Sequence, residues 1–387
     1  MTPPAGVSVW VQGLTRPMLT GGDLADLVTI GQVAGVGTDP AAVAAAITDG
    51  AYRDQLQELA RAGAGLQEAV QAVLVQDAGA ACQVLAPVFE RSGGTDGWVC
   101  LPVDAHLAGD TTGTLAAARR LWAQVDRPNL MVTLPATPAG LPAISAVLAD
   151  GVSVNAALAC SVTGYRAVLN AVLVGLEQAR RNGRDLSGIH AVASLCVCAV
   201  DAEVDHRLDA LEGVSARARG QWLRRQAGIA NAHLAYRAYE QALTTPRWAS
   251  LHAAGARTPR PLWACTDTTG SAYPDTRQVS ELVTPHAVIS LHRAELRAAT
   301  GPGQLRGDPD PVRGRYPAAE ATWNALERLG VSYSEVTGLV EHRGVQQAQQ
   351  SWTRLCHHLA EHLQPADGPA AGCAPGRAPG TGPSPVP

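Results

Sequence analysis

Four cysteines stand in or beside short apolar runs that read as strands: Cys100, Cys196, Cys198 and Cys265. Thiols at strand ends suit two chemistries, nucleophilic attack and the binding of a soft metal. Cys196 and Cys198 share a parity with Ser194, which would turn all three toward one face of a strand. Cys-x-Cys is not a zinc-ligand spacing, however, and no second pair follows. The simpler reading is small side chains filling apolar gaps, with no metal site. Asp39 and Asp267 offer carboxylates for an acid/base pair, although solvated loop carboxylates are the ordinary outcome. His106, His286 and His292 flank the third and eighth strand candidates, where they would serve as a general base or as polar rim residues. His357 and His358 lie on a terminal helical pattern and read as surface or packing residues. All 30 residues counted as Lys plus Arg are Arg, so the amino terminus is the only primary amine in the chain.

These residues need a scaffold, and the chain spells one out. Strand candidates run over Val7–Val11, Gln32–Thr38, Trp98–Val103, Leu130–Leu134, Val152–Ala157, Gly188–Val197, Pro261–Cys265 and Ala287–Leu291. Helical spacing fills the gaps between them. Asp39-Pro40 stops the second strand, and Pro40 suits the first turn of a helix, as does Pro138. Ser161 is placed to cap the helix after the fifth strand and Gly330 to end a later one. The stretch 201–254 is polar and helical, longer than one crossover helix, and a further helix covers 334–363. Apolar strands alternating with helices predict a parallel sheet buried on both faces, and eight such units suit a (β/α)₈ TIM barrel with extra helices. The alternation alone also fits an open doubly wound sheet, but no G-x-G-x-x-G or P-loop string supports a nucleotide site. No cofactor is implied.

Length and charge narrow the field. The 387 residues form a single barrel domain over 1–363 on this reading, and the Pro/Gly/Ala-rich 364–387 reads as a disordered tail. Charged residues make up 17% and the formal net charge is −4, which gives no reason to expect nucleic acid or a membrane surface. No secretory signal and no uninterrupted apolar run long enough for a membrane span is visible, so the expected setting is cytoplasmic and reduced. Eight cysteines with no framework spacing agree with that setting.

The stretch Asn129–Gly140, NLMVTLPATPAG, resembles the transaldolases, whose barrel strand here reads like N-L-L-I-K-I-P-A-T. VSVWVQGLTR from Val7, GVGTDP from Gly35, PVDAHL from Pro102, GVSVNAALACS from Gly151 and RPLWACTDTTGSAYPDT from Arg260 carry the same likeness. The resemblance covers roughly 7–296. It implies a class I aldolase barrel, with reactive groups at the carboxyl ends of the strands, and descent from an enzyme of the pentose phosphate pathway. The family transfers a dihydroxyacetone unit between sugar phosphates through a Schiff base on the strand-four lysine. At that position this chain has Thr133. At the family's acid positions it has Gln12 and Pro102. The Asn of the T-N-P turn is Asp39, Asn155 is retained before Ala157, and Ser194 is retained before Cys196. The phosphate-binding Arg is Ala199, the seventh-strand Ser is Cys265, and a nearby Lys is Thr269. Packing residues of the family pattern, Trp10, Asp104, Pro135, Asp201, Pro261 and Trp263, remain.

Losses at the pocket beside a retained frame imply a scaffold kept while its old reaction was given up. The expected pocket lining is Asp39, Thr133, Asn155, Ser194, Cys196 and Cys265. The leading reading is a pseudoenzyme or binding protein with a small-molecule ligand, a protein partner or a second copy of itself. A lysine-independent enzyme of specialised metabolism and a transaldolase with an unorthodox nucleophile are the alternatives.

Overall fold

The computed structural model describes residues 7–211, 220–264, 280–299 and 310–363. Eight strands close into one barrel in chain order: β1 (Ser8–Leu14), β2 (Gly35–Thr38), β3 (Trp98–Pro102), β4 (Leu130–Pro135), β5 (Val154–Ala159), β6 (Ala191–Cys196), β7 (Arg260–Ala264) and β8 (Val288–His292). Every neighbouring pair is parallel. This is the (β/α)₈ barrel, and it excludes the open sheet.

The helices follow in order. After β1 come α1 (Arg16–Thr20) and α2 (Asp23–Thr29). After β2 come α3 (Pro40–Thr48), α4 (Arg53–Arg61) and α5 (Leu66–Arg91). Single helices follow the next three strands: α6 (Thr111–Val125), α7 (Gly140–Ala149) and α8 (Val162–Arg181). Between β6 and β7 lie α9 (Cys198–Asp209), α10 (Ala227–Leu243) and α11 (Pro246–Ala253). After β8 come α12 (Arg293–Ala299), α13 (Tyr316–Arg328) and α14 (Tyr333–Leu363). The extra helices thus stand where the sequence predicts them.

Local chemistry explains the boundaries. Asp39 caps α3 by accepting from Ala41 N–H, and Pro40 fills the first helical position. Ser161 caps α8 through Gly164 N–H. Gly330, at φ 83°, takes the left-handed conformation just after α13. Pro138 is not in the first turn of α7. Thr137 Oγ1 accepts from Gly140 N–H, so the helix begins two residues later than the Pro suggests.

No apolar run in the chain is uninterrupted over a membrane's width, but one helix comes near it in mean composition. Helix α5 is long and apolar enough, by length and composition, to cross a membrane. Its Ala, Val and Leu content leaves few charges, and it packs along β3 and α14 instead. Asp77 in its middle is buried and paired with Arg16 and the Tyr52 hydroxyl.

The barrel interior is filled from the bottom by Trp10, Trp98, Cys100, Met131, Val192, Leu262 and Val288. Gly35 is required by this packing, because a Cβ there would lie 2.6 Å from Trp10 Nε1. Below that layer Arg260 closes the barrel floor. Its Nε donates to His286 O at 2.9 Å, Nη1 to Thr95 O at 2.7 Å and Asp96 at 3.0 Å, and Nη2 to Ser8 Oγ at 2.6 Å.

Candidate functional site

The carboxyl ends of the strands open into a cavity of about 510 Å³, and α14 lies across its top. The register sets the floor. Thr133 on β4 stands between Pro102 on β3 and Asn155 on β5. Ser194 Oγ donates to Asn155 Oδ1 at 2.7 Å, and Asn155 Nδ2 donates to Thr133 Oγ1 at 3.4 Å. On the opposite side the Gln12 amide donates to Ser290 Oγ, linking β1 to β8. Asn155 and Ser194 are buried, and Thr133 is half-buried. The floor is therefore two chains of amides and hydroxyls with no formal charge.

The Cys100 thiol beside this floor is not poised to attack. Cys100 is buried, and desolvation pushes its pKa up to about 12, with hydrogen bonds to Thr133 and Asn155 pulling the other way. Cys196 lines the cavity, with its thiol against Cys160. That contact and burial push the Cys160 thiol far above the ordinary range. Neutral thiols of this kind are weak nucleophiles. Leu158, on the wall, has φ 72°, and the β5–β6 register slips between Ala156 and Ala159. This bulge turns the end of β5 toward the cavity.

Gln12, Asp39, Pro102, Thr133, Asn155, Ser194 and Cys196 all border the one cavity. Cys265, Asp267 and Thr269 lie outside the described residues. Cys198 does not share a strand face with Ser194. Strand β6 ends at Cys196, Cys198 opens α9, and it is disulfide-bonded rather than a free thiol. Of the three histidines, only His292 borders the cavity. His106 is exposed and bonds Asp104 and Thr353, and His286 lies at the opposite end of the barrel, before β8.

The sequence reading missed the top of the site. Gly344, Gln347, Ala348, Ser351, Trp352 and Arg354 of α14 all face the cavity. Their spacing of three and four residues is the signal that could have found them, since it puts small residues and polar groups on one helical stripe. Gly344 lets α14 come close, because a Cβ there would meet Leu158 Cδ2 at 3.2 Å.

A closed parallel barrel with a cavity at the carboxyl ends of its strands defines the class of (β/α)₈ barrels. Sequence comparison specifies the family. The Transaldolase/Fructose-6-phosphate aldolase family profile matches residues 10–359. A protein named Transaldolase from Thermobifida fusca is 47% identical over 358 residues, covering 92% of this chain and 96% of that protein. A Transaldolase from Acidothermus cellulolyticus is 46% identical over 91% of this chain and 93% of its own length. Transaldolase 2 of Streptomyces coelicolor is 44% identical over 90% of this chain and 93% of its own length. The chain belongs to the transaldolase family.

Proposed function

We propose that this chain is a transaldolase-family barrel that does not transfer dihydroxyacetone units, and that it uses its cavity to bind a small molecule. One observation carries the reading. At the β4 position where the family pattern has its Schiff-base lysine stands Thr133, hydrogen-bonded to Asn155, in a chain with no lysine anywhere. A hydroxyl cannot condense with a ketone to an imine, and that step needs a nucleophilic amine. The acid/base groups that would shuttle protons are also missing from the floor, where Gln12 and Pro102 stand instead.

The retained frame supports binding rather than decay. Asp201 still accepts from Gly228 N–H at 2.7 Å, and Trp263 Nε1 still donates to Leu282 O at 3.1 Å. The cavity at the barrel mouth has a volume of about 510 Å³. Its high-pKa Cys100 argues against a thiol enzyme.

The test is reduction with borohydride in the presence of fructose 6-phosphate, followed by intact-mass measurement. The expected spectrum shows no adduct. A stoichiometric adduct that maps to a residue in the barrel would refute the reading.

A further inference from the structure

We propose that the cavity takes an uncharged polyhydroxylated ligand, a free sugar or sugar alcohol, in place of a phosphate ester. The inference rests on the reading above that no imine forms there, and it goes on to specify what the cavity recognises.

In a parallel barrel, the N-termini of the helices after each strand point toward the mouth, and these are the ready sites for a phosphate. The four after β2, β3, β4 and β5 are already filled by the protein. Asp39 caps α3 through Ala41 N–H at 2.9 Å, and Asp110 caps α6 through Gly113 N–H at 3.0 Å. Thr137 Oγ1 takes Gly140 N–H of α7 at 3.0 Å. At α8 three acceptors converge. Ser161 Oγ takes Gly164 N–H at 3.0 Å, Tyr333 OH takes Val162 N–H at 2.7 Å, and Glu341 takes Cys160 N–H at 3.2 Å. Two of these acceptors, Tyr333 and Glu341, come from α14, so the helix above the cavity closes that site itself. Two of the caps, Asp39 and Asp110, and Glu341 beside them are carboxyl side chains, which repel a dianion.

The charges on the described lining residues also cancel. Among the described lining residues, Arg354 supplies one cation and Asp39 one anion, with His292 beside them. Among these residues a phosphate dianion would meet one exposed guanidinium and one carboxylate. The floor suits a different partner. Gln12, Thr133, Asn155, Ser194 and Ser290 offer donors and acceptors across its width, and Trp352 and Leu262 supply apolar surface for the C–H faces of a sugar. Convergent neutral polar groups on an apolar wall fix the orientation of an uncharged ligand without the cost of desolvating a charge.

The experiment is calorimetric titration of the full chain with fructose, sorbitol, xylitol and erythritol, each beside a phosphate ester, and with inorganic phosphate. At least one uncharged compound should bind with a Kd below about 5 mM and at least about tenfold more tightly than its phosphate ester. Thr133→Val, which keeps the shape of the side chain, and Asn155→Ala should each weaken that binding by about tenfold. The inference is overturned if every uncharged compound binds more weakly than that, if the phosphate ester binds as tightly or more tightly, or if neither variant changes the affinity. None of these readouts depends on turnover, so the loss of imine chemistry and the choice of ligand stand or fall separately.

Discussion

The two ends of the barrel differ in kind. At the bottom, Arg260 is buried and spends its donors on Ser8, Thr95, Asp96 and the backbone before β8. At the mouth, the floor is neutral, held by Ser194, Asn155 and Thr133 in one chain and by Gln12 and Ser290 in the other. A charge buried at the bottom is expensive to disturb, because each partner left behind is desolvated and unpaired. A neutral hydroxyl or amide at the mouth can be exchanged at small cost. The fold is thus secured at one end, while the other end is free to change its chemistry. Such an asymmetry lets a barrel change residues at its mouth and keep its fold.

The largest expected effect tests the bottom. Arg260→Ala should lower the unfolding free energy by about 3–5 kcal/mol, since it strands Asp96 and several carbonyls. Urea denaturation would show this as a drop in midpoint. A loss near that of a surface substitution would erase the contrast.

His190 gives the next effect. It packs against Trp98 near the bottom, and burial followed by Arg257 and Arg260 lowers its pKa to about 4. The unfolded chain takes up this proton near pH 6.5, while the folded chain resists it until near pH 4. Stability is therefore unaffected by this group above the unfolded value and falls as pH drops from there toward 4, by about 3 kcal/mol in total. The measurement is the urea midpoint from pH 7 to 4.5 for wild type and His190→Leu. The wild-type curve should be steeper, and parallel curves would mean that His190 is protonated in the folded state.

The mouth should give the smallest effect. Ser194→Ala removes one neutral donor and should cost about 1 kcal/mol. A loss as large as that of Arg260→Ala would mean that the floor, too, holds the fold.

Much of this was legible in the sequence. Eight apolar runs separated by helical spacing pointed to a parallel sheet covered by helices, and the family strings pointed to its closure as a barrel and to Gln12, Pro102, Thr133, Asn155 and Ser194, which border one cavity. What escaped is physical in origin. The fifth strand reads as Val152–Ala157 but is Val154–Ala159, because the bulge at Leu158 needs a left-handed φ that no glycine announces. The sixth strand starts at Ala191 rather than Gly188, since a short 3₁₀ turn over Leu186–Gly188 precedes it. The role of α14 escaped because its contacts join residues more than 180 positions apart, such as Cys160 with Glu341. Amphipathic spacing tells that such a helix packs, and leaves open what it packs on.

The most direct test of the central claim is turnover of fructose 6-phosphate with erythrose 4-phosphate. Wild type, Thr133→Lys, and Thr133→Lys combined with Gln12→Asp and Pro102→Glu should be compared. Wild type should show no rate above background. Thr133→Lys alone should stay near it, because a positioned acid or base is worth about 10²–10⁴-fold and two such positions are empty. Any gain should appear only when all three groups are restored. Substantial turnover by the wild-type chain would contradict the account.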